Sequence, residues 1–261
     1  MEIVITPHAS VATELVAGIV ARVLRSRTAP VLGLATGNSP LGVYRELIDR
    51  HQRGELSAAH ASAVLLDEYV GLSPDHPETY RAFIRREFVD HIDLPSSRLF
   101  TPDVDATDLS AACRGYDQLI GELGGVDVQL LGIGRDGHLG FNEPGSSLAS
   151  RTRLKTLTRV TREDNAKFFD DRHEQVPRHV VTQGLGTILE ARHLVLIACG
   201  PAKAQPIARA VEGPVSAMCP ASVLQLHPHV TVVVDEAAAS HLELAGYYRE
   251  AYDHKPTWQE L

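Results

Sequence analysis

Short unbroken apolar runs alternate along this chain with longer segments in which apolar residues recur every three or four positions. The runs Ile3 to Ile5, Pro30 to Ala35, Ala63 to Leu66, Val126 to Leu131, Leu194 to Ala198 and Val230 to Val234 predict strands buried on both faces. The periodic segments predict helices. Val11, Leu15, Val16, Ile19, Val20, Val23 and Leu24 form one face behind a Ser10 cap, and Leu41, Val43, Tyr44, Leu47 and Ile48 form a second. Further helices are predicted over Tyr80 to His91, Leu109 to Leu123, about Ala202 to Val211, and at the C-terminal end. Strands and helices in alternation imply an α/β fold: a modified doubly wound (Rossmann-like), mostly parallel sheet with helices on both faces. No internal repeat or long linker interrupts the pattern, so residues 1–261 are expected to form a single domain.

Composition narrows the partners more than the fold. With 261 residues, 44% of them apolar and 22% charged, the chain can bury one large α/β core. Its 33 acidic against 25 basic side chains give a net charge of −8, which disfavours non-specific binding to nucleic acid or to anionic membranes. An anionic ligand must therefore be held by a local cluster of donors. The apolar runs are too short to span a bilayer. Three cysteines without CxxC spacing, and a Met1–Ile5 start without a basic leader segment, lead us to expect a reduced, cytoplasmic setting.

In sheets of this kind ligands sit beyond the carboxyl ends of the strands, and three predicted strand ends carry chemistry. After Leu34 comes Ala35-Thr36-Gly37-Asn38-Ser39-Pro40, where Gly37 permits a tight turn, Ser39 is placed to cap a helix and Pro40 to open it. Free N–H groups at such a helix start, with hydroxyls from Thr36 and Ser39, suit an anion; a well-capped turn without ligand reads equally well. After Leu66 come Asp67 and Glu68, whose side chains point to opposite faces of an extended backbone, so at most one aims into a common site. Each is readable as a general base, a helix cap or a surface charge.

The third strand end, Gly132-Ile133-Gly134-Arg135-Asp136-Gly137-His138-Leu139-Gly140-Phe141-Asn142-Glu143-Pro144, contains a literal GxGxxG. A dinucleotide fingerprint would need a helix to follow and an acidic residue about twenty positions on. Neither is present here. The loop instead brings together Asp136, His138 and Glu143, and a histidine flanked by carboxylates can shuttle protons near neutral pH. The same residue types ligate metals, but His138 has no second histidine at HxxxH spacing, and we expect no metal.

Taken together, Asp67-Glu68-Tyr69-Val70-Gly71-Leu72, Gly134 to Pro144, and Ser146-Ser147-Leu148-Ala149-Ser150-Arg151-Thr152-Arg153 resemble the glucosamine-6-phosphate deaminase family, over essentially the whole chain. The resemblance implies that Asp67 takes the C2 proton of an amino-sugar phosphate. His138 would open the sugar ring, with Asp136 and Glu143 positioning it. The phosphate would lie on Thr36, Gly37, Asn38 and Ser39 with Lys203. Lys167 stands where some relatives are expected to carry arginine; it keeps the charge and gives up the bidentate fork. No metal, pyridoxal phosphate or nicotinamide cofactor is implied. Ser146, Ser147, Arg153 and Lys155 match positions that, in allosteric members, bind N-acetylglucosamine 6-phosphate between subunits of a hexamer, so a homo-oligomer is expected. The segment with Tyr247 and Tyr248 departs from that pattern. The rival readings are a 6-phosphogluconolactonase-like hydrolase, which lacks the full Asp67 to Leu72 motif, and a non-catalytic sugar-phosphate sensor.

Overall fold

The computed structural model of the chain describes every residue except Thr257 and Glu260. The strands are β1 (Glu2–Thr6), β2 (Val31–Leu34), β3 (Ser62–Leu65), β4 (Asp67–Val70), β5 (Leu99–Phe100), β6 (Val128–Leu131), β7 (Arg153–Thr156), β8 (His179–Thr182), β9 (Leu194–Ala198) and β10 (Val230–Asp235). The helices are α1 (Ala9–Ser26), α2 (Asn38–Gln52), α3 (Tyr80–Glu87), α4 (Leu109–Glu122), α5 (Arg159–Asn165), α6 (Leu185–Ile188), α7 (Ala204–Val211) and α8 (Ala245–Asp253). Seven strands form a wholly parallel sheet in the order β1-β10-β9-β6-β2-β3-β5. The other three form a small antiparallel sheet in the order β4-β8-β7. Among the described residues no helix is long and apolar enough to cross a membrane, and all three thiols are free.

The unbroken apolar runs find their reason in the two faces of the large sheet. Leu194, Leu196 and Ala198 pack into one core with Val31, Val64 and Leu131. Val195 and Ile197 pack into the other, with Leu32, Leu34, Ala63 and Leu65. Successive residues thus serve opposite cores, as the period of two in a strand requires. Helix α1 covers the second core with Ala12, Val16, Ile19, Val20 and Leu24, while Val11, expected on its apolar face, is exposed. A third, smaller core lies against the antiparallel sheet, where Tyr69 and Val180 meet Phe141, Leu157, Phe169 and Val176.

Several boundaries differ from the sequence expectation. Helix α1 begins at Ala9 with His8 as its cap and no capping side chain, so Ser10 lies inside the first turn. Helix α2 begins one residue before Ser39, because Gly37 takes a φ of 99° and itself turns the chain into the helix. The helix expected over Tyr80 to His91 breaks at Phe88 and ends in a 3₁₀ turn, Val89–His91. The C-terminal partners of Asp67 and Glu68 were not foreseen: the two residues open β4, and β8, α5, α6 and the two-residue β5 carry no strong periodic signal.

The end of β2 is fixed by one side chain. Tyr44 of α2, fully buried and stacked on Phe88 at 4.8 Å, donates its hydroxyl to Ala35 O at 2.7 Å and accepts from Ala35 N–H at 3.2 Å. Tyr44→Phe leaves both backbone groups without their partner in a dry site, at a cost of about 1–3 kcal/mol. Thermal unfolding is expected to show Tm lowered by about 2–4 °C per kcal/mol for a protein near this size. An unchanged Tm would mean that water replaces the hydroxyl.

Candidate active site

Three carboxyl-terminal strand ends open into one cavity of about 440 Å³, lined by Thr36, Gly37, Asn38, Ser39, Asp67, His138, Lys167 and Lys203 among others. Residues chosen from three separate segments and two isolated lysines thus converge. The chain achieves this by leaving the large sheet at Leu65. Its carbonyl, past the end of short β5, accepts instead from the Tyr116 hydroxyl at 2.8 Å and Gln183 Nε2 at 2.9 Å. Leu66 still touches both sheets, donating to Leu34 O at 3.3 Å and accepting from Gln183 N–H at 2.7 Å. The next residue, Asp67, then enters β4 with its side chain over the cavity.

Asp67 and Glu68 have opposite fates, as extended backbone demands. Glu68 turns away and holds the start of α3: Oε1 accepts from Tyr69 N–H and Tyr80 N–H, and Oε2 from Arg81 N–H, all at 2.9 Å. Burial raises its pKa against the pull of those three bonds. Asp67 is 5% exposed. Burial first, and then the neighbouring charge of Glu68, push its carboxyl well above the usual carboxylate range. No donor among the described residues hydrogen-bonds its oxygens.

The Gly-rich loop after β6 carries no helix, so the context of a dinucleotide site is absent. A Cβ at Gly134 would lie 2.2–2.4 Å from three atoms of the His138 ring, so only glycine lets the imidazole lie against the backbone there. Nδ1 of His138 stands 2.6 Å from Asp136 Oδ1, and the same oxygen accepts from the His138 backbone N–H at 3.1 Å. Burial opposes the Asp136 charge, but the hydrogen bond and charge of His138 outweigh it and hold the carboxyl below its ordinary pKa. Glu143 is buried and accepts from the hydroxyls of Thr161 and Thr158, which ties the loop to the start of α5.

The start of α2 and two lysines also line the cavity. Lys203, from the 3₁₀ turn Pro201–Lys203, donates to Ile133 O at 2.6 Å. Burial and then the charge of Lys167 depress its pKa, against the opposing pull of Asp136 and Asp164. Lys167 comes from the 3₁₀ turn Ala166–Phe168 beyond α5 and lies over the Phe168 ring at 4.8 Å. An ion pair between Arg135 and Asp164, 3.1 Å apart, joins the Gly-rich loop to α5 at the rim.

Tyr69, Tyr80, Phe141, Thr161 and Phe169, to which the sequence patterns assign no role, also line the cavity. Tyr69 was visible inside its motif, but nothing in the chain foretold that the rings of Tyr80, Phe141 and Phe169 would gather around it at 4.7, 6.1 and 5.8 Å. Ser146, Ser147, Arg153 and Lys155 lie outside the cavity lining. Arg153 and Lys155 alternate with Leu154 and Thr156 on β7, so the two cations do share a face. Ser146 is buried with a hydroxyl that meets no partner among the described residues, and Ser147 Oγ accepts from Ala149 N–H at 3.3 Å.

The geometry defines an α/β protein with one cavity lined by a buried carboxyl, an imidazole–carboxylate pair, a helix start and two lysines. The sequence profile described as glucosamine-6-phosphate isomerases/6-phosphogluconolactonase matches residues 7–233, and the chain belongs to that family. It is 58% identical over 261 residues, the whole of both chains, to a glucosamine-6-phosphate deaminase of Streptomyces coelicolor, and 60% identical, again over both whole chains, to one of Rhodococcus jostii. A solved structure of a monomeric glucosamine-6-phosphate deaminase of the NagB superfamily superposes with a TM-score of 0.89 at 44% identity, covering 92% of this chain and all of that one. A 6-phosphogluconolactonase from Leishmania guyanensis, at 20% identity and a TM-score of 0.71 over 91% of this chain and 97% of its own, shares the fold.

Because the folded-state pKa of Asp67 is raised, its contribution to stability is fully present below the unfolded value of about 4 and is lost as pH rises through the folded one. At neutral pH the buried carboxyl is therefore a burden on the fold. Asp67→Asn is expected to raise Tm by a few °C, on the order of 1 kcal/mol, at neutral pH. The gap should close as pH falls toward 4 in a pH series of melts. A variant less stable than the native chain at neutral pH would overturn this.

Proposed function

We propose that this chain converts glucosamine 6-phosphate and water to fructose 6-phosphate and ammonia. The observation that carries the reading is that Asp67, His138 and the Thr36–Ser39 helix start with Lys203 all face one cavity sized for a hexose phosphate. Supporting it is the activity named for relatives similar over their whole length.

Each group then has a task its surroundings suit. Backbone N–H groups and hydroxyls of Thr36, Gly37, Asn38 and Ser39, with the ammonium groups of Lys203 and Lys167, hold the phosphate. His138 accepts the O1 proton of the closed pyranose and delivers one to the ring oxygen, and Asp136 keeps the imidazole in one tautomer and steadies its charge. The open chain ends in an aldehyde at C1, which acidifies the C2 proton. Asp67 removes that proton as O1 takes one up, giving an enolamine; it then returns the proton to C1 as the amine nitrogen gives one up, leaving the ketose imine. Water adds to the imine carbon and ammonia departs. A carboxylate whose pKa is raised by burial is a stronger base than one in water, so desolvation favours the abstraction. Glu143 acts at one remove, holding the loop to Thr158 and Thr161.

An ammonia-release assay over a panel of sugar phosphates tests the reading. Glucosamine 6-phosphate should be turned over, and unphosphorylated glucosamine very poorly. Asp67→Asn should bind substrate yet lose about 10²–10⁴-fold in kcat, the range of a positioned general base, and lose exchange of the C2 proton with deuterated solvent. Turnover of a 6-phosphogluconolactone alone, without ammonia from any amino sugar, would establish the lactonase reading instead.

A regulatory reading rests on the sharing of one face by Arg153 and Lys155, with the buried Ser146 hydroxyl nearby in sequence. In that reading N-acetylglucosamine 6-phosphate binds there between copies of the chain and favours the state with higher substrate affinity. The monomeric relative speaks against it. Sedimentation and kinetics decide: an oligomer whose response to the effector disappears in Lys155→Ala supports it. A monomer with hyperbolic kinetics that the effector leaves unchanged overturns it.

A further inference from the structure

Arg153 spends its charge in an unusual way. It is half-buried and no carboxylate among the described residues pairs with it; burial lowers the pKa of its guanidinium. Nη1 instead donates to Asn142 Oδ1 at 2.9 Å and to Arg151 O at 3.3 Å. A partly desolvated cation bonded only to neutral oxygens is a costly way to build a surface strand. Its target explains the choice. Asn142 is fully buried, and its Nδ2 donates to Leu139 O at 3.0 Å and to Gln183 O at 2.8 Å. One amide therefore ties the end of the Gly-rich loop to β8.

The register of the small sheet sets what lies beneath. Thr182 pairs with Asp67 on one side and with Arg153 on the other, so the three stand in one row on one face. Residues 139–142 lie across that row. Phe141 N–H donates to Thr182 Oγ1 at 3.2 Å, and a Cβ on Gly140 would lie 2.9 Å from that oxygen and 3.3 Å from Asp67 Oδ2. The loop backbone thus runs over the Asp67 carboxyl, and His138 is the residue just before this stretch.

We infer that Arg153 is a positioning residue of the reaction: through Asn142 it clamps residues 139–142 over Asp67 and so sets where His138 stands relative to that carboxylate. This rests on the function proposed above. It also gives Arg153 a role that needs neither an effector nor a second subunit.

Steady-state kinetics on glucosamine 6-phosphate, with NMR of the His138 ring, test the inference. Arg153→Ala should lower kcat about tenfold or more, the scale expected when reacting groups shift by a fraction of an ångström to an ångström, with KM little changed because the phosphate end is untouched. Added guanidinium ion should restore part of the lost kcat. Arg153→Lys, which keeps the charge but not the fork, should fall between the two. Asn142→Ala should cause a similar loss, and the double variant no more than either single one, as coupled residues behave. The control Arg151→Ala, which removes ion pairs with Asp117 and Glu190 on the same edge, should leave kcat unchanged. The His138 ring signals should shift in Arg153→Ala without any substrate present, a readout that stands even if the proposed activity fails. Unshifted His138 signals overturn the inference. So does an active native enzyme whose kcat survives Arg153→Ala, or a loss that guanidinium ion does not relieve. A native enzyme that releases no ammonia overturns the proposed function alone.

Discussion

The cavity depends on the carbonyl of Leu65 leaving the parallel ladder. Strand β5 is two residues long and ends before it can pair with that carbonyl, so the Tyr116 hydroxyl and the Gln183 amide take the bond. The Tyr116 hydroxyl also lies 3.2 Å from Phe100 O, so one phenol closes two neighbouring strand ends. With its hydrogen bonds satisfied off the ladder, the backbone is free to change sheets at Leu66, and the change of sheet presents Asp67 to the space above the strands. A longer β5 would continue the ladder and keep Asp67 within the large sheet, between β2 and β5. The small sheet, its row Asp67–Thr182–Arg153 and the loop that crosses it all follow from this single diversion.

The large sheet was legible because each of its long strands is buried on both faces, which forces an unbroken apolar run. Leu194–Ala198 is read to the residue for that reason. The strand His179–Thr182 offers only two valines between a histidine and a threonine, too little signal to be told from loop. Cap positions failed for a different reason. A serine near a helix start looks like a cap, yet at Ser39 the positive φ of Gly37 had already turned the chain. Among the site residues, Asp67, His138 and the Thr36–Ser39 turn were visible because each sits at a strand end in an unusual local sequence. Which of Asp67 and Glu68 faces the cavity, and that Glu143 bonds Thr158 and Thr161, depends on partners far along the chain. Periodicity cannot report those.

Burial acts on the two ends of the cavity in opposite senses, with one result. The Asp67 carboxyl is pushed up and the Lys203 ammonium is pushed down, so both lean toward their neutral forms before anything binds. In the proposed reaction the phosphate of the substrate gives Lys203 a further countercharge, which favours the ammonium. Asp67 receives no such partner from the protein. In the proposed reaction its proton comes from the substrate carbon itself, so the basicity created by burial is spent on the bond that must break. At the Asp136 carboxyl the hydrogen bond and charge of His138 act against burial and hold the pKa below its ordinary value.

Lys203 is bonded to the carbonyl of Ile133, at the root of the same loop that carries His138. Its ammonium is therefore a fixed mark, and it cannot swing to follow a ligand as a solvated lysine would. The distance from that mark to the Asp67 carboxylate is built into the backbone, and the cavity becomes a ruler for chain length. Under the proposed function, a sugar phosphate one carbon shorter or longer, with its phosphate held by Lys203, would bring the wrong carbon to Asp67, an offset of about an ångström that is worth about 10²-fold in rate. Size selection of this kind needs no residue that touches the extra carbon, only two charges that hold their places.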